Sequence, residues 1–149
     1  MPTALITGAS RGLGLEFATQ LGSLSWKVFA TCRDPSTASD LLKLVEDGKD
    51  IQIETLDVTS RQQIDSLAKK LQGQPIDLVI LNAGMKGARP NFHLGTLETE
   101  DMQSVFLTNS IAPMLVAQAF MENVKASARK QIVCCSSGVG SIGDNTEGG

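Results

Sequence analysis

Five short apolar runs alternate with stretches whose hydrophobic residues recur at helical spacing, and this alternation restricts the chain more than any other feature. The runs are Ala4-Leu-Ile6, Lys27-Val-Phe-Ala-Thr-Cys32, Ile51-Gln-Ile-Glu-Thr-Leu56, Ile76-Asp-Leu-Val-Ile-Leu81 and Gln131-Ile-Val-Cys-Cys135, each of strand length and mostly β-branched or aliphatic. Between them Leu13, Phe17, Leu21 and Leu24 recur at three- and four-residue steps, as do Ile64, Leu67, Ala68 and Leu71. A weaker pattern of Leu41, Leu42, Leu44 and Val45 fills the second gap. Parallel strands need such crossovers, so the expected fold is α/β, a doubly wound parallel sheet of five strands in one domain over residues 1–149. Near-continuous apolar strands such as Asp77-Leu-Val-Ile-Leu81 expect helices on both faces. After the fifth strand no helical pattern follows, so an open sheet edge is expected there and the C-terminal part of the fold is expected to be missing, as in a truncated chain.

The bulk numbers narrow the partners. A formal charge of −3, without long blocks of like charge, gives no reason to expect nucleic acid or an anionic membrane. Met1-Pro2 leads directly into the first apolar run, with no basic flank and no apolar stretch of signal or membrane length, so a cytoplasmic address is expected. Cys32, Cys134 and Cys135 fit neither a disulfide framework nor the spaced pairs of a zinc site, and all three are expected to pack as small apolar core residues. The single histidine, His93, stands in a Pro/Gly-punctuated loop without neighbouring ligands and is expected at the surface, so no metal is expected.

The first strand runs into Thr7-Gly8-Ala9-Ser10-Arg11-Gly12-Leu13-Gly14, and helical spacing begins at once. Glycines here permit a tight turn, let backbone amides approach a pyrophosphate, and let helix and strand pack closely; the helix N-terminus adds unpaired N–H donors. The glycine segment does not end in Gly-Lys-Ser/Thr, so a nucleoside-triphosphate loop is excluded and a dinucleotide is the natural ligand.

The Gly-x-x-x-Gly-x-Gly spacing after Thr7 resembles the short-chain dehydrogenase/reductase family. The resemblance continues along the whole chain: Asp57-Val58 follows the third strand, where the family contacts adenine, and Asn82-Ala83-Gly84 closes the fourth, beside the cofactor. It implies a Rossmann-type fold and a nicotinamide cofactor held by Gly8, Ser10, Arg11, Gly12, Leu13, Gly14, Arg33, Asp57, Val58, Asn82, Ala83 and Gly84. A count of about twenty residues beyond the glycines reaches Asp34, a position that would favour the ribose hydroxyls of NAD. The resemblance instead aligns Cys32 with the discriminating acidic position and Arg33 with the arginine that binds the 2′-phosphate. Arg11 adds a second cation, and arginine contact with phosphate is strong and directional, so NADP is expected, with NAD as the alternative.

Within Phe106-Leu-Thr-Asn109-Ser-Ile-Ala-Pro113, in a helical stretch from Glu98 to Val124, proline has no N–H for the carbonyl of Asn109, and a bend with that carbonyl freed is expected. In the family an asparagine at this position binds a relay water through its main chain. Ser137, after the fifth strand, aligns with the serine that hydrogen-bonds the substrate carbonyl or alcohol. Asn109 and Ser137 are therefore the candidate catalytic residues. A thiol nucleophile at Cys134 or Cys135 is set aside, since no histidine is placed to activate it.

The family's remaining active-site members, a tyrosine and a lysine one helical turn beyond it, are implied just past Gly149, and the sequence contains no tyrosine. The lead-in Gly140-Ser-Ile-Gly-Asp-Asn-Thr-Glu-Gly-Gly149 resembles that of sniffer-type carbonyl reductases and C-factor proteins. The resemblance thus implies an NADP-dependent oxidoreductase acting on a small carbonyl or alcohol substrate, a homodimer or homotetramer when the full fold is present, and inactive as these residues alone. The alternative is a noncatalytic NAD(P)-binding or interaction protein derived from such an enzyme. The pairing of Asn109 with Ser137 favours enzyme descent. Part of a substrate wall is expected from the Met85–Leu97 loop with Arg89, Phe92 and His93.

Overall fold

Four parallel ladders join five strands in the order β3-β2-β1-β4-β5: β1 (Thr3–Ile6), β2 (Lys27–Cys32), β3 (Ile51–Thr55), β4 (Leu78–Leu81) and β5 (Gln131–Cys134). The computed structural model describes residues 1–87 and 95–143. Ala4 pairs with Val28 on one side and Leu78 on the other, and the outer ladders continue from Val28 to Ile51 and from Leu78 to Gln131. The chain winds outward from β1 through β2 to β3, then returns to the opposite side of β1 for β4. That reversal opens a crevice at the carboxyl ends of β1 and β4, where open α/β sheets bind ligands.

Strand alternation sends neighbouring residues to opposite faces. Ala4, Ile6, Val28, Ala30 and Ile80 pack with Ala18 and Leu41 of helices α1 (Gly12–Ser23) and α2 (Ser39–Glu46). Leu5, Phe29, Val79 and Leu81 pack on the other side with Ile64 and Leu67 of α3 (Arg61–Lys70) and with Val116, Phe120 and Val124. The expected double winding is what the structure has. At the bottom of the sheet Asp77, buried, accepts from the Thr3 and Arg129 amides and so ties β1 to β4 and β5.

Three expectations need correction. On α1 the buried residues are Gly14 and Ala18, with Leu15, Phe17 and Leu21 half-buried, whereas Leu13 and Leu24 are 66% and 69% exposed. The helix is rolled so that its small residues touch the sheet, which carries Leu13 about 100° round from that contact; Leu24 lies just past the helix end. Cys32 is buried in the core and Cys135, half-buried, packs against it, whereas Cys134 is exposed, because β5 is an edge strand and Val133 beside it is itself 47% exposed.

The third correction concerns the stretch from Glu98 to Val124. It comprises α4 (Thr99–Phe106), a π-helical turn Leu107–Ile111, α5 (Ala112–Ala119) and α6 (Met121–Lys125). The disturbance expected ahead of Pro113 takes the form of a widened turn, in which the Ala112 N–H bonds to Leu107 O, five residues back. One residue is absorbed ahead of a proline that cannot donate, a common cause of π turns near functional sites. The break between α5 and α6 falls at Phe120, whose ring is fully buried.

Candidate functional site

The crevice is built by backbone turns that hold one another. At the end of β1 the Thr7 amide donates to Ile80 O at 3.0 Å, and the Thr7 hydroxyl accepts from the amides of Asn82 and Ala83, each at 3.0 Å. The Asn82 side-chain amide returns the contact, donating to the carbonyls of Thr7 (3.0 Å) and Gly8 (3.1 Å). Gly8 adopts a positive φ of 68°, and a Cβ there would lie 3.0 Å from Ala83 Cα. Gly14 is tighter: a Cβ would stand 2.3 Å from Gly8 O and 2.6 Å from Asn82 Nδ2. Only glycine lets the first turn of α1 approach the loop this closely.

That first turn lacks a protein cap. Arg11 occupies the N-cap in extended conformation, among the described residues no side chain caps the free amides, and no acidic residue stands in the first turn. Unsatisfied N–H groups and the helix dipole favour an anion there.

The end of β2 supplies the flank. Cys32 is buried, and burial pushes its thiol above the ordinary value; the Asp34 amide opposes this and the Asp34 charge adds to it. Arg33 is exposed and faces the same opening. Asp34 does not: its Oδ1 accepts from the Ser36 amide (2.9 Å) and hydroxyl (2.6 Å), capping a short 3₁₀ turn over Pro35–Thr37. After β3, Asp57 Oδ1 accepts from the Thr59 hydroxyl (2.7 Å) and amide (2.9 Å), while the Asp57 amide donates to Gln63 Oε1 at 2.6 Å. The Thr59 hydroxyl is the main cause holding the Asp57 carboxyl below its ordinary value; the Thr59 amide and the charge of Arg33 add to it against partial burial.

Asn109, inside the π turn, grips the loop after β4 through its side chain. Oδ1 accepts from the Met85 amide at 2.9 Å and Nδ2 donates to Met85 O at 2.8 Å, while the Thr108 hydroxyl lies 3.4 Å from Met85 Sδ. The wide turn therefore points an amide back at the segment that closes the crevice. Ser137 is exposed just beyond β5, its carbonyl accepting from Gly140 N at the start of a 3₁₀ turn over Gly138–Gly140.

These turns enclose an open cleft of about 920 Å³. Of the residues selected from sequence, Gly8, Ser10, Arg11, Gly12, Arg33, Asp57, Val58, Asn82, Ala83 and Gly84 line it. Leu13, Gly14, Asn109 and Ser137 do not: Leu13 faces outward, Gly14 lies beneath the loop, and Asn109 acts on the wall through Met85. Met85 and Lys86, from the start of the expected wall loop, also line the cleft; Ser104, Leu107 and Thr108 line it as well and were not expected, nor was the role of the Thr7 hydroxyl. Of the wall expected over Met85–Leu97, Arg89, Phe92 and His93 lie outside the described residues. Among the described residues, no group of three His, Cys, Asp or Glu side chains could hold a metal ion, and no helix is long and apolar enough to cross a membrane.

Comparison with known proteins gives this geometry a family. The family model of short chain dehydrogenases matches residues 2–147. The chain belongs to the short-chain dehydrogenase family. The chain is 33% identical over 148 residues to the short chain dehydrogenase gsfK of Penicillium aethiopicum, a match covering 94% of this chain and 58% of the relative. Among solved structures it is similar to the NADPH-bound carbonyl reductase from chicken fatty liver, with a TM-score of 0.88, 38% identity, and coverage of 99% of this chain and 64% of that one. It is also similar to a carbonyl reductase from Pseudomonas aeruginosa in complex with NADP, with a TM-score of 0.87, 31% identity, and coverage of 96% and 64%. The chain thus spans less than two thirds of the length of each of these relatives.

Proposed function

We propose that the cleft holds NADP(H) and that the protein serves hydride transfer between the nicotinamide and a small carbonyl or alcohol substrate, as a carbonyl reductase of the short-chain type. The uncapped start of α1 beside two exposed arginines carries this reading: it is a site for an anion that carries more than one phosphate. The cleft volume suits a ligand of this size, and the loop is shaped so that a Cβ at Gly14 would fill it. The amides of α1 and of the Gly8–Gly12 turn would take the diphosphate, Arg11 and Arg33 the 2′-phosphate, and Asp57 with Val58 the adenine. The Asn82–Gly84 segment would lie along the nicotinamide half. The cofactor, when bound, supplies the hydride.

In this reading Asn109 holds the wall through Met85 and offers its main chain to a relay water, and Ser137 orients the substrate oxygen. Cytoplasmic residence is supported by free cysteines, Cys134 among them exposed. Assembly into a dimer or tetramer is supported by Phe106 and Met114, 62% and 71% exposed along α4 and α5.

A second reading is a noncatalytic nucleotide-binding protein, since the glycine turn, Asp57 and Asn82 would serve binding alone. Calorimetry with NADPH and NADH tests binding, and NADPH absorbance with simple aldehydes and ketones tests turnover. Saturable NADPH binding is expected. Arg33→Ala is expected to weaken NADPH on the order of tenfold or more and to leave NADH nearly unchanged. Absence of binding to either nucleotide at millimolar concentration would refute the proposal.

A further inference from the structure

Asp34 stands where a simple count from the glycine loop places the carboxylate that reads a ribose diol, yet it is absent from the lining of the cleft, to which its two predecessors Cys32 and Arg33 contribute. The cause is local. Pro35 begins a 3₁₀ turn, the Asp34 side chain caps it, and Ser36 supplies both donors, the amide at 2.9 Å and the hydroxyl at 2.6 Å, to the same oxygen. The Thr37 hydroxyl donates to Asp34 O at 3.1 Å and fixes the other end of the residue. Among the described residues, neither Asp34 nor Asp57 forms an ion pair with Arg33, whose guanidinium faces the cleft and acts on Asp57 through its charge alone.

We propose that Ser36 is a specificity-positioning residue: by holding the Asp34 carboxylate inside the turn, it keeps that negative charge from the 2′-phosphate position and leaves Arg33 to bind the phosphate. This rests on the nucleotide reading above. Phosphate and carboxylate compete for one guanidinium, and a carboxylate released toward the cleft would repel the phosphate while accepting from the two hydroxyls of an unphosphorylated ribose. Ser36 therefore sets the preference between the two nucleotides without touching either.

The test is calorimetric titration of NADPH and NADH against the full chain and three variants, with unfolding midpoints recorded to show that each folds. Ser36→Ala is expected to lower the NADPH-to-NADH affinity ratio on the order of threefold to tenfold, since one of the two donors remains. Ser36→Thr, which keeps a hydroxyl, is expected to retain the wild-type ratio. Ser36→Ala combined with Asp34→Asn removes the charge that the turn was holding, and the ratio is expected to recover. An unchanged ratio in Ser36→Ala overturns the proposal, and so does a ratio that falls but fails to recover in the double variant, which would trace the effect to loop shape. If the wild-type chain binds neither nucleotide, the cofactor reading itself fails.

Discussion

The side-chain amide of Asn82 donates to the carbonyls of Thr7 and Gly8, so the end of β4 fixes the turn at the end of β1 across 74 and 75 residues of sequence. The contact places Asn82 beneath the glycine turn as a brace as well as on the wall of the cleft.

Replacing Asn82 by Ala leaves two carbonyls of a partly buried turn without their donor. The variant is expected to lose roughly 1–3 kcal/mol of stability and to bind NADPH at least about tenfold more weakly. Urea midpoints and calorimetry on the same preparations check both effects.

Gly14→Ala tests the close approach directly. Its Cβ would collide with backbone at Gly8 O, which cannot swing aside as a side chain could. A cost of about 1–3 kcal/mol is expected from displacement of the α1 turn, despite the better helix propensity of alanine. Nucleotide affinity is expected to fall with it, because the same amides would move.

Asp57 predicts a pH dependence. Its folded-state pKa lies below the unfolded value, chiefly because of the Thr59 hydroxyl, so the stability it contributes is present above the unfolded carboxylate range and is lost as pH falls through the folded value. Asp57→Asn, which does not ionise, is expected to lose stability less steeply than wild type between about pH 5 and pH 2. Denaturant midpoints across that range measure the difference.

Asn109→Ala removes both bonds to Met85. Amide exchange at Met85 to Gly87 is expected to accelerate on the order of tenfold, while the amides of β1 and β2 keep their protection. Equal acceleration throughout would mean that Asn109 supports the fold in general and not this wall.

What the sequence revealed was what depends on local pattern. The Lys27–Cys32 strand has the boundaries its apolar run suggests, and Ile64 and Leu67 face the core as their spacing requires. The glycine loop was legible because strand, glycines and helix are contiguous. What escaped depends on contacts between distant segments. The Thr7 hydroxyl looks like an ordinary strand residue until β4 arrives with two amides. Leu13 reads as part of an apolar stripe, but the contact of Gly14 with Gly8 decides how the helix is rolled. Pro113 announced a disturbed helix, yet whether the chain bends or widens depends on the backbone around it, and the grip of Asn109 on Met85 follows only from the widened form. Asp34 was ambiguous in sequence because a count of positions is blind to a serine two residues later.

Because the winding reverses between β1 and β4, the two halves of the sheet are sewn together by a single short ladder, from Ala4 with Leu78 to Ile6 with Ile80. A nucleotide spanning the ends of β2, β1 and β4 would stitch a second seam across that join. Any force pulling the halves apart would then have to break ligand contacts as well as strand pairing, so mechanical toughness across the join should climb with the logarithm of nucleotide concentration.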